Sequence, residues 1–429
     1  MLERWFEIEK RGSSVSTEVM AGLTTFLAAA YIIAVHPSIL ATAGMPKGAL
    51  ITVTCLVAGL GTLLFALWPK VPFMMAPGMG LNAFFTYTLV LQHKLSWPTA
   101  LGVVFLSGCL FLLLTALGIR ERIIHAIPPS IRVATTVGIG LFIALIGLKN
   151  MGLVVDHKVT LVTHGALNKT VVVGLVGLLL IGVLEAWKVR GAMLWGILAV
   201  TGLAVPLGLT TLPDKLLATP QSIAPIAFQL NVMEAISPAL WGTIFSFMFV
   251  DLFDSLGTLM GISSEAGMVQ EDGTIDKMGS MLGADAIATV GGALLGTSTT
   301  TAYIESGAGI AQGGRTGFAS VITGILFLLS MFLWPFIQMI PPCATAPALV
   351  IVGVAMLKHI EALNVRDIEE ALPAFLTMAL MPFTYSISHG IMFGFLSYVL
   401  LKLARGKFDE LNPILITIAI LSGVNLALV

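Results

Sequence analysis

Long apolar stretches separated by short polar connections recur along the whole chain. The better stretches approach the ~20 residues that an α-helix needs to cross a ~30 Å hydrocarbon core. A membrane barrel would instead show repeated strands of about ten residues with alternating polarity, and this sequence lacks them. The pattern therefore predicts an all-α polytopic membrane protein. The apolar segments, numbered 1 to 14 in chain order, are 20–41, 49–68, 74–91, 98–117, 130–148, 169–187, 191–209, 240–261, 282–296, 299–313, 316–339, 342–358, 369–386 and 388–404.

Segments 3 and 10 differ from the others in their local composition. Residues 70–90 read KVPFMMAPGMGLNAFFTYTLV, and residues 296–317 read GTSTTTAYIESGAGIAQGGRTG. Each begins with Pro, Gly or hydroxylated residues, which favour extended backbone, and each becomes helical only in its second half. Irregular backbone survives in lipid only where protein or a water-filled cavity satisfies its amides. Close helix packing at small residues is the alternative, but packing does not account for Asn82 or Glu305.

The two halves of the chain resemble each other at an offset of seven segments. PPSIRVATTVGIGLFIALIGLKNMGL at 128–153 is similar to PPCATAPALVIVGVAMLKHIEAL at 341–363. The interrupted segments 3 and 10 have the same offset. Because seven is odd, the halves are expected to sit upside down relative to one another, as in many secondary transporters, where paired broken helices form the substrate site.

Composition and charge agree with this interpretation. Hydrophobic residues make up 57% of the chain, charged residues 10%, and the mean hydropathy is +0.98, whereas about a quarter of residues are charged in soluble domains. If the N-terminus is cytoplasmic, sixteen Lys and Arg residues fall inside and six outside, which is the expected bias. The apolar tail, 412–428, could cross the bilayer, lie in the interface or pack at a subunit contact. The polar N-terminal stretch predicts no signal peptide.

Carboxylates in the middle of apolar segments are the main candidates for function. Segment 8 carries Asp251 and, one turn on, Asp254, and helical spacing places both on one face with Ser255. Each ionisable residue at mid-helix costs ~2.5 to 3.5 kcal/mol on insertion scales, so Asp251, Asp254 and Glu305 together indicate substrate binding or proton transfer. Repulsion among crowded carboxylates in a low dielectric also favours protonation of one of them.

Other polar residues give weaker signals. Thr24, Thr25 and Phe26 of segment 1 could line the same cavity, although a helix hydroxyl often bonds its own backbone. His36 is interpreted as a satisfied polar residue, and Asp285 as a helix cap. The three cysteines occur singly and match no metal or disulfide spacing. The sequence contains no Walker loop, no metal-ligand cluster and no nucleophile-base pair, so it predicts no enzyme and no cofactor other than the proton gradient.

Three of these motifs resemble those of AzgA-type purine permeases, a branch of the nucleobase-ascorbate transporter superfamily. They are APGMGLNAFFTYTLV, FVDLFDSLGTLMG and GTSTTTAYIESGAGIAQGGRTG. The resemblance implies about fourteen transmembrane spans in two inverted seven-span repeats. It also implies a core domain from segments 1–4 and 8–11 and a gate domain from segments 5–7 and 12–14. The boundaries expected for the two parts of the core are 15–118 and 238–339, and those for the gate are 119–237 and 340–429.

The resemblance also implies proton-coupled uptake of purine bases, with the base held by Asn82, Asp251, Asp254 and Glu305. We expect Glu305 and Asp251 to accept hydrogen bonds from the ring, Asn82 to shape the pocket and Asp254 to contribute to proton coupling. The assignment of binding and proton transfer among the three acids remains open. Further candidate substrate-binding residues are Thr25, Phe26 and Thr301.

The sequence thus predicts a multi-pass permease of the cell membrane that takes up guanine, hypoxanthine or adenine with protons. Its expected partners are the base, the proton and the lipid bilayer, with a homodimer as a further option and no nucleic acid. One alternative is an anion or sulfate transporter of the same inverted fold, although three acids would repel an anion. Another is a uracil or xanthine permease, but Ser306, Gly307 and Ala308 after Glu305 depart from that signature. A channel or a membrane scaffold would not accumulate substrate.

Overall fold

A computed structural model describes residues 2–118, 127–270 and 274–428, and most of these residues are helical. In the first half, the segments contain the helices Val15–Ala29 and Ile32–Ala41 (segment 1), Lys47–Leu67 (2), Met79–Ala83 (3), Trp97–Ala116 (4), Pro129–Met151 (5), Lys169–Ala186 (6) and Ala192–Ala204 (7). In the second half they are Trp241–Glu265 (8), Met278–Leu295 (9), Ser306–Ala311 (10), Gly317–Ser330 and Trp334–Gln338 (11), Pro342–Leu357 (12), Ile368–Thr384 (13) and Ile387–Ala404 (14). The tail forms the helix Pro413–Leu428, and Leu2–Phe6 and Val232–Ala235 are short additional helices.

Within the described residues, ten helices are long and apolar enough to cross a membrane. The prediction of a polytopic helical membrane protein is therefore confirmed. Segments 3, 7, 10 and 13 are not among the ten because their helices are short or interrupted. The count of fourteen spans stays a prediction. Arg120 and Arg122, which the sequence places inside, and the predicted boundary at residue 119 lie outside the described residues.

Both interrupted segments contain a short strand, as their composition predicts. Strand β1, Met75–Pro77, pairs antiparallel with strand β4, Thr300–Ala302, and the central partners are Ala76 and Thr301. Segment 3 then becomes helical and continues as a π-helix over Phe84–Gln92. The other two strands, Val154–His157 and Leu161–His164, form a hairpin (β2 and β3) between segments 5 and 6. The unusual backbone therefore lies inside the protein, where its amides find partners.

Helix contacts follow the seven-segment offset predicted from the sequence. Segment 2 packs on segment 11, and correspondingly segment 9 packs on segment 4. Segment 5 packs on segment 13, and segment 12 on segment 6. Segments 5 and 12, which carry the similar sequences, also pack on each other. Exchanging the two halves converts each contact into its counterpart, and the antiparallel pair β1 and β4 lies between the halves.

Glu18 joins the start of segment 1 to the start of segment 11. Its carboxylate is fully buried and accepts hydrogen bonds from the backbone N–H groups of Arg315 (2.9 Å), Thr316 (3.3 Å) and Ala319 (3.2 Å). The Thr316 hydroxyl donates a fourth bond, at 2.9 Å. A carboxylate is favoured here because the helix Gly317–Ser330 begins with unpaired N–H groups and a positive dipole end. Glu18 thereby fixes the connection between segments 10 and 11.

Replacing this carboxylate should destabilise the protein. Glu18→Ala leaves several buried donors without an acceptor, so we expect a loss of about 3 kcal/mol and a clear fall in the melting temperature of the purified protein in detergent. Glu361→Ala is the matched control because Glu361 is exposed, and its melting temperature should stay at the wild-type value. Equal melting temperatures for Glu18→Ala and the wild type would contradict the anchoring role.

Candidate functional site

The candidate site is the place where the two broken segments cross. Beyond the β1–β4 ladder, the Gly78 N–H donates to the Thr299 carbonyl (3.1 Å) and the Tyr303 N–H to the Met74 carbonyl (3.1 Å). Gly78 suits this close approach, because a Cβ atom there would make a tight contact of 3.1 Å with Cγ2 of Thr301. Each strand is followed by a helix, so the starts of two helices face the crossing from opposite directions.

Asn82 ties the first helix to the opposite half of the chain. Its side chain is fully buried, and its Oδ1 accepts a hydrogen bond from the Ser298 hydroxyl. Its Nδ2 donates a longer bond, at 3.4 Å, to the Pro77 carbonyl. His36 lies nearby, where its Nε2 bonds the Thr297 hydroxyl at 2.7 Å. The structure thus places Asn82 at the crossing with its amide already engaged by protein groups.

The two acids of segment 8 lie in different surroundings although they share a helix face. Asp251 is 1% exposed, and its Oδ2 accepts a 3.4 Å hydrogen bond from Thr289 of segment 9. Asp254 is partly exposed, and its Oδ2 is 3.7 Å from the position that a Cβ atom on Gly78 would take. Asp254 therefore faces the start of the segment 3 helix, whereas Asp251 faces segment 9.

Asp285 is a fourth acid of the site, and its interpretation as a helix cap is wrong. It lies inside the helix Met278–Leu295 and is fully buried. It accepts hydrogen bonds from the Ser255 hydroxyl (2.5 Å) and from the Ala302 N–H of β4 (3.1 Å). Ser255 also contacts the Thr301 hydroxyl at 3.0 Å. Asp285 thus supports strand β4 through the N–H of Ala302 and, by way of Ser255, through the hydroxyl of Thr301.

Glu305 occupies the turn between β4 and the helix Ser306–Ala311. Its Oε1 accepts a 2.6 Å hydrogen bond from the hydroxyl of Tyr31, a residue of segment 1 that sequence reasoning missed. Tyr303, two residues before Glu305, donates its hydroxyl to the Pro77 carbonyl at 2.5 Å. Two tyrosines therefore flank Glu305, which is itself partly exposed.

The three remaining candidates have different neighbours. Thr25 is 3% exposed and packs against segment 10, where a Cβ atom on Gly309 would overlap its hydroxyl. Phe26 is partly exposed, and its ring contacts Phe327 edge-on at 5.2 Å between centroids. Thr301 is buried at the centre of β4. The candidate residues belong to segments 1, 3, 8 and 10, and Phe26, Asp254 and Glu305 are the partly exposed ones among them.

The helix of segment 10 that follows Glu305 borders a cavity near one end of the bundle. A cavity of about 480 Å³ lies between segments 8 and 10 and is lined by Glu265, Ile304, Gly307, Ala308, Ile310 and Ala311. Ile304, directly before Glu305, is 54% exposed. With a cytoplasmic N-terminus, this end faces inside.

At the opposite end, segments 3 and 13 close against each other. The Thr88 hydroxyl donates to the Tyr385 carbonyl at 2.9 Å, and Nε2 of Gln92 donates to the Thr384 carbonyl at 3.0 Å. The Tyr87 and Tyr385 rings also meet edge-on, 6.5 Å between centroids. With a cytoplasmic N-terminus, this closed end faces outside.

Comparison with known proteins relates the chain to permeases. Residues 16–393 match the model of the family described as Permease family, Xan_ur_permease. The adenine permease AdeP of Escherichia coli (strain K12) is 41% identical over 98% of this chain and 95% of its own length. The guanine/hypoxanthine permease PbuG of Bacillus subtilis (strain 168) is 38% identical over 96% of this chain and 97% of its own length.

Solved structures show the same fold at low sequence identity. The transmembrane domain of the cyanobacterial bicarbonate transporter BicA superposes with a TM-score of 0.65 and 15% identity, covering 87% of this chain and 97% of that one. The murine anion transporter Slc26a9 in the inward-facing state gives a TM-score of 0.66 and 11% identity, covering 91% and 69%. These likenesses concern the arrangement of the helices and say nothing about the substrate.

Proposed function

This chain belongs to the Xan_ur_permease family of permeases, and from that premise we propose that it carries adenine, guanine or hypoxanthine across the cell membrane. Relatives named for these three bases match it over almost its whole length. The family membership that the sequence motifs indicated is thereby confirmed. Its relatives are transporters, in agreement with the absence of a catalytic motif in the sequence.

The observation that carries the proposal is the chemistry of the partly exposed groups at the crossing. Glu305 and Asp254 offer hydrogen-bond acceptors, and we assign the apolar ring face to Phe26 of segment 1, whose side chain is partly exposed. A purine base has N–H donors along its edge and a flat apolar face, so these groups are matched to it. A small anion would meet carboxylates at this crossing and be repelled by them. The anion alternative therefore loses support, although solved anion transporters share the fold.

The geometry suggests a different division of roles between the acids of segment 8 from the one expected from the sequence. Asp254 is partly exposed beside Gly78, whereas Asp251 is buried and accepts a bond from Thr289. We therefore propose that Asp254 and Glu305 face the base and that Asp251 serves proton coupling from its buried position. Asn82, Thr25 and Thr301 shape the pocket through the contacts that hold its walls.

Transport is proposed to occur by alternating access of a core and a gate domain, with the boundaries expected from the family resemblance. The contacts between segments 3 and 13 support a state in which that end of the site is closed. Proton coupling, a cytoplasmic N-terminus and a homodimer belong to the same proposal. Proton coupling is supported by the acids at the crossing. Movement of the base would change the contacts of these carboxylates, and acids within membrane segments often relay protons in transporters.

Uptake of radiolabelled adenine, guanine and hypoxanthine into cells that lack their own permeases tests the proposal. We expect saturable uptake of at least one base, and competition by the unlabelled bases gives the order of preference. Labelled uracil and sulfate serve as controls and should not accumulate. Saturable uptake of none of the three purines would contradict the proposed function. Accumulation that persists after a protonophore collapses the proton gradient would remove proton coupling alone.

A further inference from the structure

Tyr31 lies at a junction in segment 1 that the apolar sequence does not reveal. The helices Val15–Ala29 and Ile32–Ala41 meet there. The turn is tightened, because the N–H groups of Ile33 and Ala34 bond carbonyls three residues back, at 3.2 and 3.1 Å. Such short tight turns inside a helix often mark functional positions. The Tyr31 side chain is only 1% exposed, so its ring is fixed by the surrounding core.

The hydroxyl of this fixed ring reaches Glu305. The oxygen atoms of Tyr31 and Glu305 are 2.6 Å apart, a short distance typical of a hydroxyl that donates to a carboxylate. In the part of the chain that the structure describes, Tyr31 is the one side chain that donates to Glu305. Glu305 is partly exposed, whereas Tyr31 is not. Because Tyr31 occupies Oε1, the second oxygen of the Glu305 carboxylate is the one left for a further partner.

We propose that Tyr31 is a positioning residue that holds Oε1 of Glu305, so that the carboxylate presents its other oxygen to the N–H edge of the base. This inference rests on the proposed function of the site. A carboxylate on a short turn can rotate, and a rigid donor at one oxygen removes that freedom before the base arrives. Preorganisation of this kind increases affinity by lowering the ordering cost of binding.

Tyr31→Phe removes the hydroxyl and keeps the ring in the core. Loss of a hydrogen bond to a charged group is expected to raise the KM for base uptake about tenfold, while the maximal rate stays within about twofold. Tyr303→Phe is the matched control, because its hydroxyl lies at the same crossing but donates to the Pro77 carbonyl instead of a carboxylate. Purified protein in detergent then gives a second readout by infrared spectroscopy. The carboxyl bands of Glu305 are those that disappear in Glu305→Gln.

The infrared carboxyl bands of Glu305 should shift in Tyr31→Phe and stay in place in Tyr303→Phe. An unchanged Glu305 band in Tyr31→Phe would overturn the assignment, and so would an unchanged KM in a transporter that takes up purines. Absence of purine uptake by the wild-type protein would instead overturn the proposed function. The infrared shift does not depend on uptake, so the two failures are distinguishable.

Discussion

Purine uptake by Glu305→Gln is expected to fall at least about 100-fold, the largest loss of any single substitution at the site. The amide keeps the volume of the side chain but replaces one acceptor oxygen by a donor and removes the charge. An N–H donor of the base would then meet a second donor, and a buried donor without an acceptor is costly. Initial rates of labelled hypoxanthine and adenine uptake, normalised to the amount of protein in the membrane, measure the effect.

The outcome also separates binding from proton transfer. Glu361→Gln, which changes an exposed carboxylate in the same way, should transport at the wild-type rate. If Glu305→Gln exchanges labelled for unlabelled base at the normal rate but no longer accumulates it, Glu305 carries the proton and does not hold the ligand. Normal accumulation by Glu305→Gln would remove Glu305 from the site altogether.

The broken segments were predictable because unusual backbone needs unusual residues. APG before Asn82 and GTSTTT before Glu305 are incompatible with regular helices in lipid, so their extended form could be deduced from composition. The register that pairs Ala76 with Thr301 was not predictable. The register depends on how the two halves of the chain pack against each other, and the local sequence of each segment contains no information on that packing.

Asp251, Asp254 and Glu305 were predicted because inserting an ionisable residue into the membrane is costly. The same argument explains why other residues of the structure were not predicted. Asp285 carries the same signal as Asp251, but segment 9 was expected to start at residue 282, which placed Asp285 near a helix end. The helix in fact begins at Met278. Tyr31 counts as apolar in a hydrophobic segment, and Glu18 belongs to the polar N-terminal stretch. Their roles depend on partners in the other half of the chain, which a single sequence does not reveal.

A covalent link between segments 3 and 13 should stop transport. Gln92 and Thr384 touch at the closed end of the site, and a base can enter there only if this contact separates. Gln92→Cys combined with Thr384→Cys, in a background without the three native cysteines, provides two thiols that a short bis-methanethiosulfonate cross-linker can bridge. We expect uptake to fall at least about tenfold and to recover after reduction with dithiothreitol, because locking one state removes alternating access.

A second cysteine pair controls for the effect of the cross-linker itself. Lys149 and Asp156 form an ion pair at 2.6 Å and both belong to the predicted gate domain, so a cross-link between them leaves the two domains free to move. After treatment with the cross-linker, Lys149→Cys with Asp156→Cys should therefore transport as well as it does after reduction. Full cross-linking of positions 92 and 384 with unchanged uptake would mean that this end stays closed throughout the cycle. The base would then have to enter by another route, and the contacts between segments 3 and 13 would be a permanent part of the scaffold.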